Sequence, residues 1–387
     1  MMISLRGEQV EKQLQLSREQ QIVVILSNPL LNDENNLLEI LTHTLNWNFI
    51  YEQVLRHKIV SLAYYRLQHL VENVPSDFLN KLKLLYDKNK QKQCDYLNEC
   101  FPIYNEFNNQ GLKYCVLKGP ILQELIYPPF TRMYNDFDIL IQRTDYLFFK
   151  SILNKYDFFN ENDNCNTKKE RERLFLFLNT YEFPAFKKIL CDDNKLYIDL
   201  QHDYTLSKQL NYNIDIAKEM NLSSSMIINS TTISYQNLLY LLIHLCTHEF
   251  GDSVTISEII SNKAFRLRNF GDIVGLVEKY INKFCNSDFY ELVKDTKTVM
   301  PVYFCLYYCT QLYNVSKQFK TILEELDKVI TDFSFLNQYG FENGTNGIHT
   351  WKCSFEDRLF SKKSVDEVNE NSKEFIKRYS KYDTRIN

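Results

Sequence analysis

The chain has 387 residues, 44% hydrophobic and 14% aromatic, with only 9 Gly and 8 Pro. That is enough apolar mass for a sizeable core in two or three substructures, and too few turn residues for an all-β or disordered chain. Lys and Arg total 45 against 49 Asp and Glu, a net charge of −4, so the chain lacks the basic excess of proteins that neutralise phosphate backbones and nucleic acid is not favoured as a partner.

The 10 cysteines include no CxxC pair, and the start, MMISLRGEQVEKQ, lacks the apolar centre of a signal peptide. Reduced thiols in a cytoplasmic protein are expected. Cys305 and Cys309, four apart on a predicted helix, read as core packing. No apolar run reaches the roughly 18 residues of a membrane helix; Val299–Cys309 comes nearest and is rich in Tyr.

Residues 1–108 read as helical. Leu37, Leu38, Ile40, Leu41 and Leu45, then Ile50, Val54 and Leu55, recur at helical spacing, and Ile59–Leu67 continues it. Pro75-Ser76 marks the start of a long helix, Ser76–Asn108, whose polar middle, Asp87–Asp95, reads as a solvated face. Gly111 stops it. A buried strand follows at Tyr114–Leu117. Gly119 then caps a short helix with Pro120 in its first turn, and Tyr127-Pro128-Pro129 ends it as a structural corner. Asp136–Ile141 is a second strand and Thr144–Tyr156 a helix.

Asp157–Arg173 is polar and Asn-rich, and Leu174–Leu178 with Phe183–Leu190 reads as a hairpin. Lys195–Leu200 is a third strand. From Gln236 the chain is again predicted helical: Leu238–Leu245 apolar nearly all round, then Arg268–Phe284 and Asp295–Tyr313. Gly340–Gly347 is a loop, and the polar tail from Lys362 is expected to fray. This divides the chain into an N-terminal helical region (1–108), a mixed core (109–215), a helical substrate-side region (216–335) and a C-terminal loop and tail (336–387).

The chemistry concentrates in Lys113–Gln142. Asp136 and Asp138 are two apart on a strand, so their carboxylates share one face. Two readings stand: a hard cation such as Mg2+ held between them, or a strand end whose carboxylates face water or cap a helix. Lys118-Gly119-Pro120 forms a strand-to-helix turn of the kind that offers free N–H groups and a positive charge to phosphate. Asp199, on a third strand, supplies a third acid that can ligate a second ion and take a proton from an attacking hydroxyl.

In order, these are VLKG at Lys118-Gly119, Tyr127-Pro128, Arg132, DFDIL at Asp136 and Asp138, and IDLQH with Asp199 and His202. The pattern resembles a bacterial uncharacterised nucleotidyltransferase family within the polymerase-β-like superfamily. RHKIVSLAYYRL (Arg56–Leu67), LLIHLCTHEF and FGDI are also similar to it, and the resemblance covers roughly Leu37–Tyr280. The chain departs from the superfamily in having Lys118-Gly119 followed by Pro120 where Gly-Ser is usual, and in the intervening Gln201 that displaces His202.

The resemblance implies an α/β (α+β) fold, a small mixed-sheet nucleotidyltransferase core flanked by helical regions. It implies transfer of a nucleoside monophosphate from a Mg-NTP to an acceptor, with release of pyrophosphate. Asp136, Asp138 and Asp199 would bind two Mg2+ ions and carry the catalysis. Lys118 and Gly119 would hold the triphosphate, and Arg132 would contact phosphate or fix its loop. A small molecule or peptide fits the near-neutral charge as acceptor. The alternatives are a toxin-like enzyme acting on RNA or protein, for which Lys168, Lys169, Arg171 and Arg173 are offset by Glu170 and Glu172, and an inactive NTP-binding or interaction protein. His244 and His248 read either as metal ligands or as buried histidines satisfied by Asp272 or a carbonyl. Arg266, Arg268 and Asp272 are candidates for the acceptor side of the cleft.

Overall fold

The computed structural model describes residues 14–30, 32–160, 181–190, 194–343 and 347–373. Four helices open the described chain: α1 (Arg18–Ser27), α2 (Glu34–Leu41), α3 (Trp47–Arg56) and α4 (Val60–Leu67). A reciprocal Ser17–Gln20 capping box starts α1 by satisfying two N–H groups that lack helical partners. The long α5 (Ser76–Asn109) follows and ends where Gly111 takes φ +65°. Its last turns bury Tyr104 and Phe107, whose rings lie 5.8 and 5.3 Å from that of Tyr114.

The polar middle of α5 departs from expectation. Asn89 and Gln93 are buried, and Gln93 donates to the Arg132 carbonyl at 2.9 Å while Asn89 reaches the Phe130 carbonyl at 3.3 Å. Lys92 meets the Asn135 side chain at 2.9 Å. A stretch read as solvated therefore clamps the loop that leads into Asp136, because a loop over a core needs partners for its carbonyls.

The fold is mixed α/β, with one seven-stranded sheet in the order β3-β4-β5-β2-β1-β7-β6. The strands are β1 (Tyr114–Val116), β2 (Asp136–Ile141), β3 (Phe159–Asn160), β4 (Phe186–Ile189), β5 (Lys195–Gln201), β6 (Ser224–Ile228) and β7 (Thr231–Tyr235), with α6 (Gly119–Ile126) following β1 and α7 (Tyr146–Lys155) following β2. β1 runs antiparallel to β2 but parallel to β7, and β2 runs parallel to β5. The hairpin β6–β7 was not anticipated, and it carries the sheet past residue 215. The proposed hairpin strand Leu174–Leu178 lies outside the described residues, as do Lys168–Arg173. β4 pairs antiparallel with both β3 and β5.

The helices Leu238–Val254, Leu267–Lys279 and Val299–Leu312 pack on one another beside the sheet. The predicted helix Arg268–Phe284 is interrupted at Tyr280, with Ile281–Phe284 a separate turn. The Cys305 and Cys309 thiols are buried and donate to the Cys246 and Phe270 carbonyls, and the eight described cysteines are free. Among the described residues no helix is long and apolar enough to cross a membrane.

The C-terminal region is more structured than a loop and tail. Gln338–Tyr339 pairs with His349–Thr350, and Phe355–Phe360 and Lys363–Asn371 are helical. Arg358 is buried with its guanidinium 5.4 Å from each of the Phe265, Trp351 and Phe355 rings.

The helix Leu267–Lys279 crosses the end of α1 so closely that a Cβ on Gly271 would collide with the Ser27 carbonyl. Gly271→Ala is expected to destabilise the protein by about 1–3 kcal/mol, because a backbone carbonyl cannot swing aside as a side chain can. Urea denaturation checks this, and an unchanged midpoint would show that the two helices separate freely.

Candidate active site

β2 and β5 are in parallel register with Asp138 opposite Asp199 and Asp136 opposite Tyr197. Residues paired in register share a face, and so do residues two apart, so all three carboxylates project from one side of the sheet. β1 is antiparallel to β2, and the Leu117 N–H donates to the Asp138 carbonyl at 2.9 Å. The end of β1, with Lys118, is thereby delivered to the start of β2, with its acids.

Lys118 has φ +43° and ψ −116° and is the cap of α6. This is a strained conformation for a residue with a Cβ, costing about 1–3 kcal/mol, and such residues cluster at functional sites. The expected cap, Gly119, is instead the first helical residue and has no positive φ; a Cβ there would meet Tyr134 and the Asp136 carbonyl at ordinary distances of 3.5 and 3.7 Å. The strain of the turn sits on the lysine. Its Nζ lies 3.6 Å from Asp138 Oδ2, while Gln201 Nε2 donates to Asp138 Oδ1 at 2.8 Å.

Asp136, Asp138, Asp199, Lys118, Gly119 and Arg132 all line one cleft of about 460 Å3, together with Arg266, Arg268, Asp272 and His248. Burial raises the Asp138 pKa, with Asp136 adding to the rise and Lys118 and Arg132 opposing it. Burial also raises Asp199 well above the usual carboxylate range, helped by Asp138, Glu182 and Asp136. The charged forms of Asp138 and Asp199 are therefore disfavoured, with Lys118 in ion-pair contact with Asp138.

Arg132 lies deeper than either expected role required. Its guanidinium grips Asp272 with two hydrogen bonds of 2.9 and 2.7 Å, and the Tyr127 hydroxyl donates to the same carboxylate at 2.7 Å. Arg132 and Asp272 are 3% and 1% exposed. The pair joins the loop before β2 to the helix Leu267–Lys279 and so fixes the core against the helical wall. Tyr127 is thus a contact as well as a corner.

Asp272 is accordingly not the partner of a histidine. His244 is buried with its edge on the Tyr204 ring, 4.9 Å between centroids, and neither ring nitrogen has a hydrogen-bond partner among the described residues. Burial holds its pKa well below the usual range, so the ring is neutral. His248 faces Asp252 at 3.5 Å. His202 packs on Phe183 at 4.7 Å and lies outside the cleft lining.

Several lining residues were not read from the sequence: Lys58, Glu182, Asp252, Glu258 and Glu342. Asp252 had a signal, since it stands four residues after His248 on one helix, whereas Glu258 lies on the separate helix Ile256–Ile260 and had none. Lys58 lies within the RHKIV stretch quoted above, where no role was assigned to it. Glu182 had none; it adjoins β5 through an isolated bridge to Gln201.

The sequence profile of a family described as uncharacterised nucleotidyltransferase matches residues 43–314. The chain belongs to this nucleotidyltransferase family. The match takes in the sheet, α6, the three aspartates and the helical wall with Arg266, Arg268 and Asp272. No curated protein matches the chain.

The cleft suits a hard cation by its donors. Asp138 and Asp199 stand opposite each other in the β2–β5 register, both half-buried, and Lys118 is in ion-pair contact with Asp138. Among the described residues no three His, Cys, Asp or Glu side chains converge as ligands. Mg2+ does not require three: it is held by one or two carboxylates, with water and substrate phosphate completing its shell.

Proposed function

We propose that the protein is a polymerase-β-like nucleotidyltransferase that moves a nucleoside monophosphate from a Mg-NTP to an acceptor and releases pyrophosphate. The observation that carries this reading is the register of Asp138 against Asp199, with Asp136 on the same face and Lys118 at the mouth of α6. Asp136, Asp138 and Asp199 are the residues that would hold magnesium, which when bound neutralises triphosphate charge and polarises the α-phosphoryl group.

Each remaining role belongs to the chain. The first N–H groups of α6 lack intrahelical partners and, with the helix dipole, favour an anion beside Gly119. Lys118 balances Asp138 until substrate arrives. Asp199, with its raised pKa, is poised to take the proton of an acceptor hydroxyl. The hydroxyl oxygen then bonds to the α-phosphorus in line, the bond to the bridging oxygen breaks, and pyrophosphate carries away that electron pair. Arg132, tied to Asp272, keeps the loop before β2 in place.

The acceptor proposed is a small molecule or peptide, in keeping with a cleft wall that carries Asp252, Glu258 and Glu342 beside its cations. The experiment is incubation with each labelled NTP and a cell extract, followed by identification of the labelled product. Asp136→Asn is expected to lower labelling and pyrophosphate release at least about 100-fold, the usual scale for removing transition-state charge stabilisation. Labelling undiminished by Asp136→Asn would end the reading.

A further inference from the structure

The cleft that holds the aspartates also has a group of cations that the reading above leaves without a role. Lys58, Arg266 and Arg268 all line it, and they come from two helical regions more than 200 residues apart in sequence. One hydrogen bond brings them together. The Leu267 N–H donates to Nδ1 of the buried His57 at 3.2 Å. Lys58 is the next residue after His57, and Arg266 and Arg268 flank Leu267. Lys58 holds a left-handed φ of +55°, which turns the chain at the end of α3. His57 itself rests on Phe360 at 5.5 Å between rings, and burial keeps it neutral, so it serves as an acceptor without adding charge.

The three basic side chains are close enough to feel one another's charge. Among the described residues, none of them has a carboxylate within ion-pair distance. Arg268 spends its donors on the Met133 carbonyl at 2.9 Å and on the Asn269 side chain. Arg266 has only a 3.5 Å contact to the Asn262 carbonyl, and its Nε is sealed from solvent with no partner. Lys58 makes no side-chain hydrogen bond among the described residues, and its pKa is lowered to about 7 by burial first and then by Arg268 and Arg266. Clustered, partly buried basic groups repel one another, and an anion joining them relieves that repulsion. The neighbouring acid, Asp136, marks the side of the cleft on which the reaction would occur: its charge is felt by both Lys58 and Arg268.

We infer that Lys58, Arg266 and Arg268 form the subsite for the terminal phosphates of the substrate and for the pyrophosphate that leaves. This rests on the nucleotidyl-transfer reading and refines it. The β- and γ-phosphates lie against the helical wall, while the turn at Lys118 and Gly119 serves the α-phosphate side. The N-terminal helical region thereby supplies a binding residue and is part of the catalytic unit. Guanidinium groups suit the task because they present paired donors to phosphate oxygens, and Lys58 adds a point charge.

The test is isothermal titration of the full chain with pyrophosphate in magnesium buffer. Each of Lys58→Gln and Arg266→Gln is expected to weaken pyrophosphate binding about 10- to 100-fold, the range for loss of a charge-assisted hydrogen bond. Lys58→Arg, which keeps the charge, is expected to stay within about threefold of the unmodified protein, and Arg266→Lys, which keeps the charge but loses the paired donors, to weaken binding less than Arg266→Gln does. Thermal unfolding of all four confirms that they fold. Wild-type affinity in a folded Lys58→Gln/Arg266→Gln double variant would overturn the subsite. The two readings fail separately. Pyrophosphate held through these cations in a protein that transfers no nucleotide would leave the anion subsite and remove the reaction. Transfer with an unchanged KM for NTP in the double variant would do the reverse.

Discussion

Asp199→Asn is expected to lower nucleotidyl transfer at least about 100-fold and at the same time to raise the thermal midpoint. Both effects come from one cause. Asp199 faces Asp138 in register, and burial together with that neighbour makes its charged form unfavourable in the folded protein. A carboxyl whose folded pKa lies above its unfolded value of about 3.9 binds its proton more tightly when folded. Stability from that difference is fully present below the unfolded pKa and is lost as pH rises through the folded one.

Ionising Asp199 as pH rises therefore costs stability at the position where the proposed chemistry needs a negative charge. Asn has nearly the same shape and no charge, so the variant escapes the cost and loses the base and ligand. Differential scanning fluorimetry from pH 5 to 8 checks the sign. The unmodified protein is expected to lose midpoint temperature as pH rises, and Asp199→Asn to lose less. The slope will not vanish, because burial also raises Glu249 to about 8 and Glu219, Asp252 and Glu342 to about 7. Magnesium is expected to raise the midpoint of the unmodified protein more than that of the variant, since binding to the folded state alone stabilises it. Full transfer activity in Asp199→Asn would remove this residue from the proposed site.

Arg132→Ala and Asp272→Ala are each expected to cost about 3–5 kcal/mol, because each leaves a buried charge without its partner. The structure argues for the high end of mutational effects. Both side chains are nearly sealed, the contact is a two-pronged hydrogen bond, and Tyr127 adds a third donor to the same carboxylate. Removing both charges together in Arg132→Met/Asp272→Leu is expected to recover much of the loss, since apolar groups of similar volume need no counter-charge. Equilibrium urea unfolding measures all three. If Arg132→Ala were as stable as the unmodified protein and instead raised KM for NTP, Arg132 would be a phosphate ligand and the joint between core and helical wall would lie elsewhere.

The lesson of this pair is general for the site. An Arg four residues before an Asp-x-Asp strand reads from sequence as a phosphate contact or a loop anchor, and nothing local separates the two. What separates them is Asp272, 140 residues downstream. Likewise the stretch Asp87–Asp95 has the composition of a solvated face, yet Asn89 and Gln93 turn inward because the loop at Phe130–Arg132 needs donors there.

Local chemistry was legible from the chain alone. The strand Asp136–Ile141 and its two same-face aspartates follow from a period of two, and the helix after Gly119-Pro120 from turn chemistry. The start of α5 follows from Pro75-Ser76 and its stop from Gly111; these preferences act within a few residues. The identity of the mixed fold and of the nucleotidyltransferase family followed from the order of those local signals. Tertiary structure alone decided the rest: that Asp199 stands opposite Asp138 rather than one residue out of register, that β6 and β7 extend the sheet, that Lys118 rather than Gly119 carries the strained turn, and that Lys58 meets Arg266 and Arg268. Each of these depends on pairing between segments far apart in sequence. Such pairing is selected by burial and hydrogen bonding summed over the whole core, and no window of neighbouring residues contains that sum.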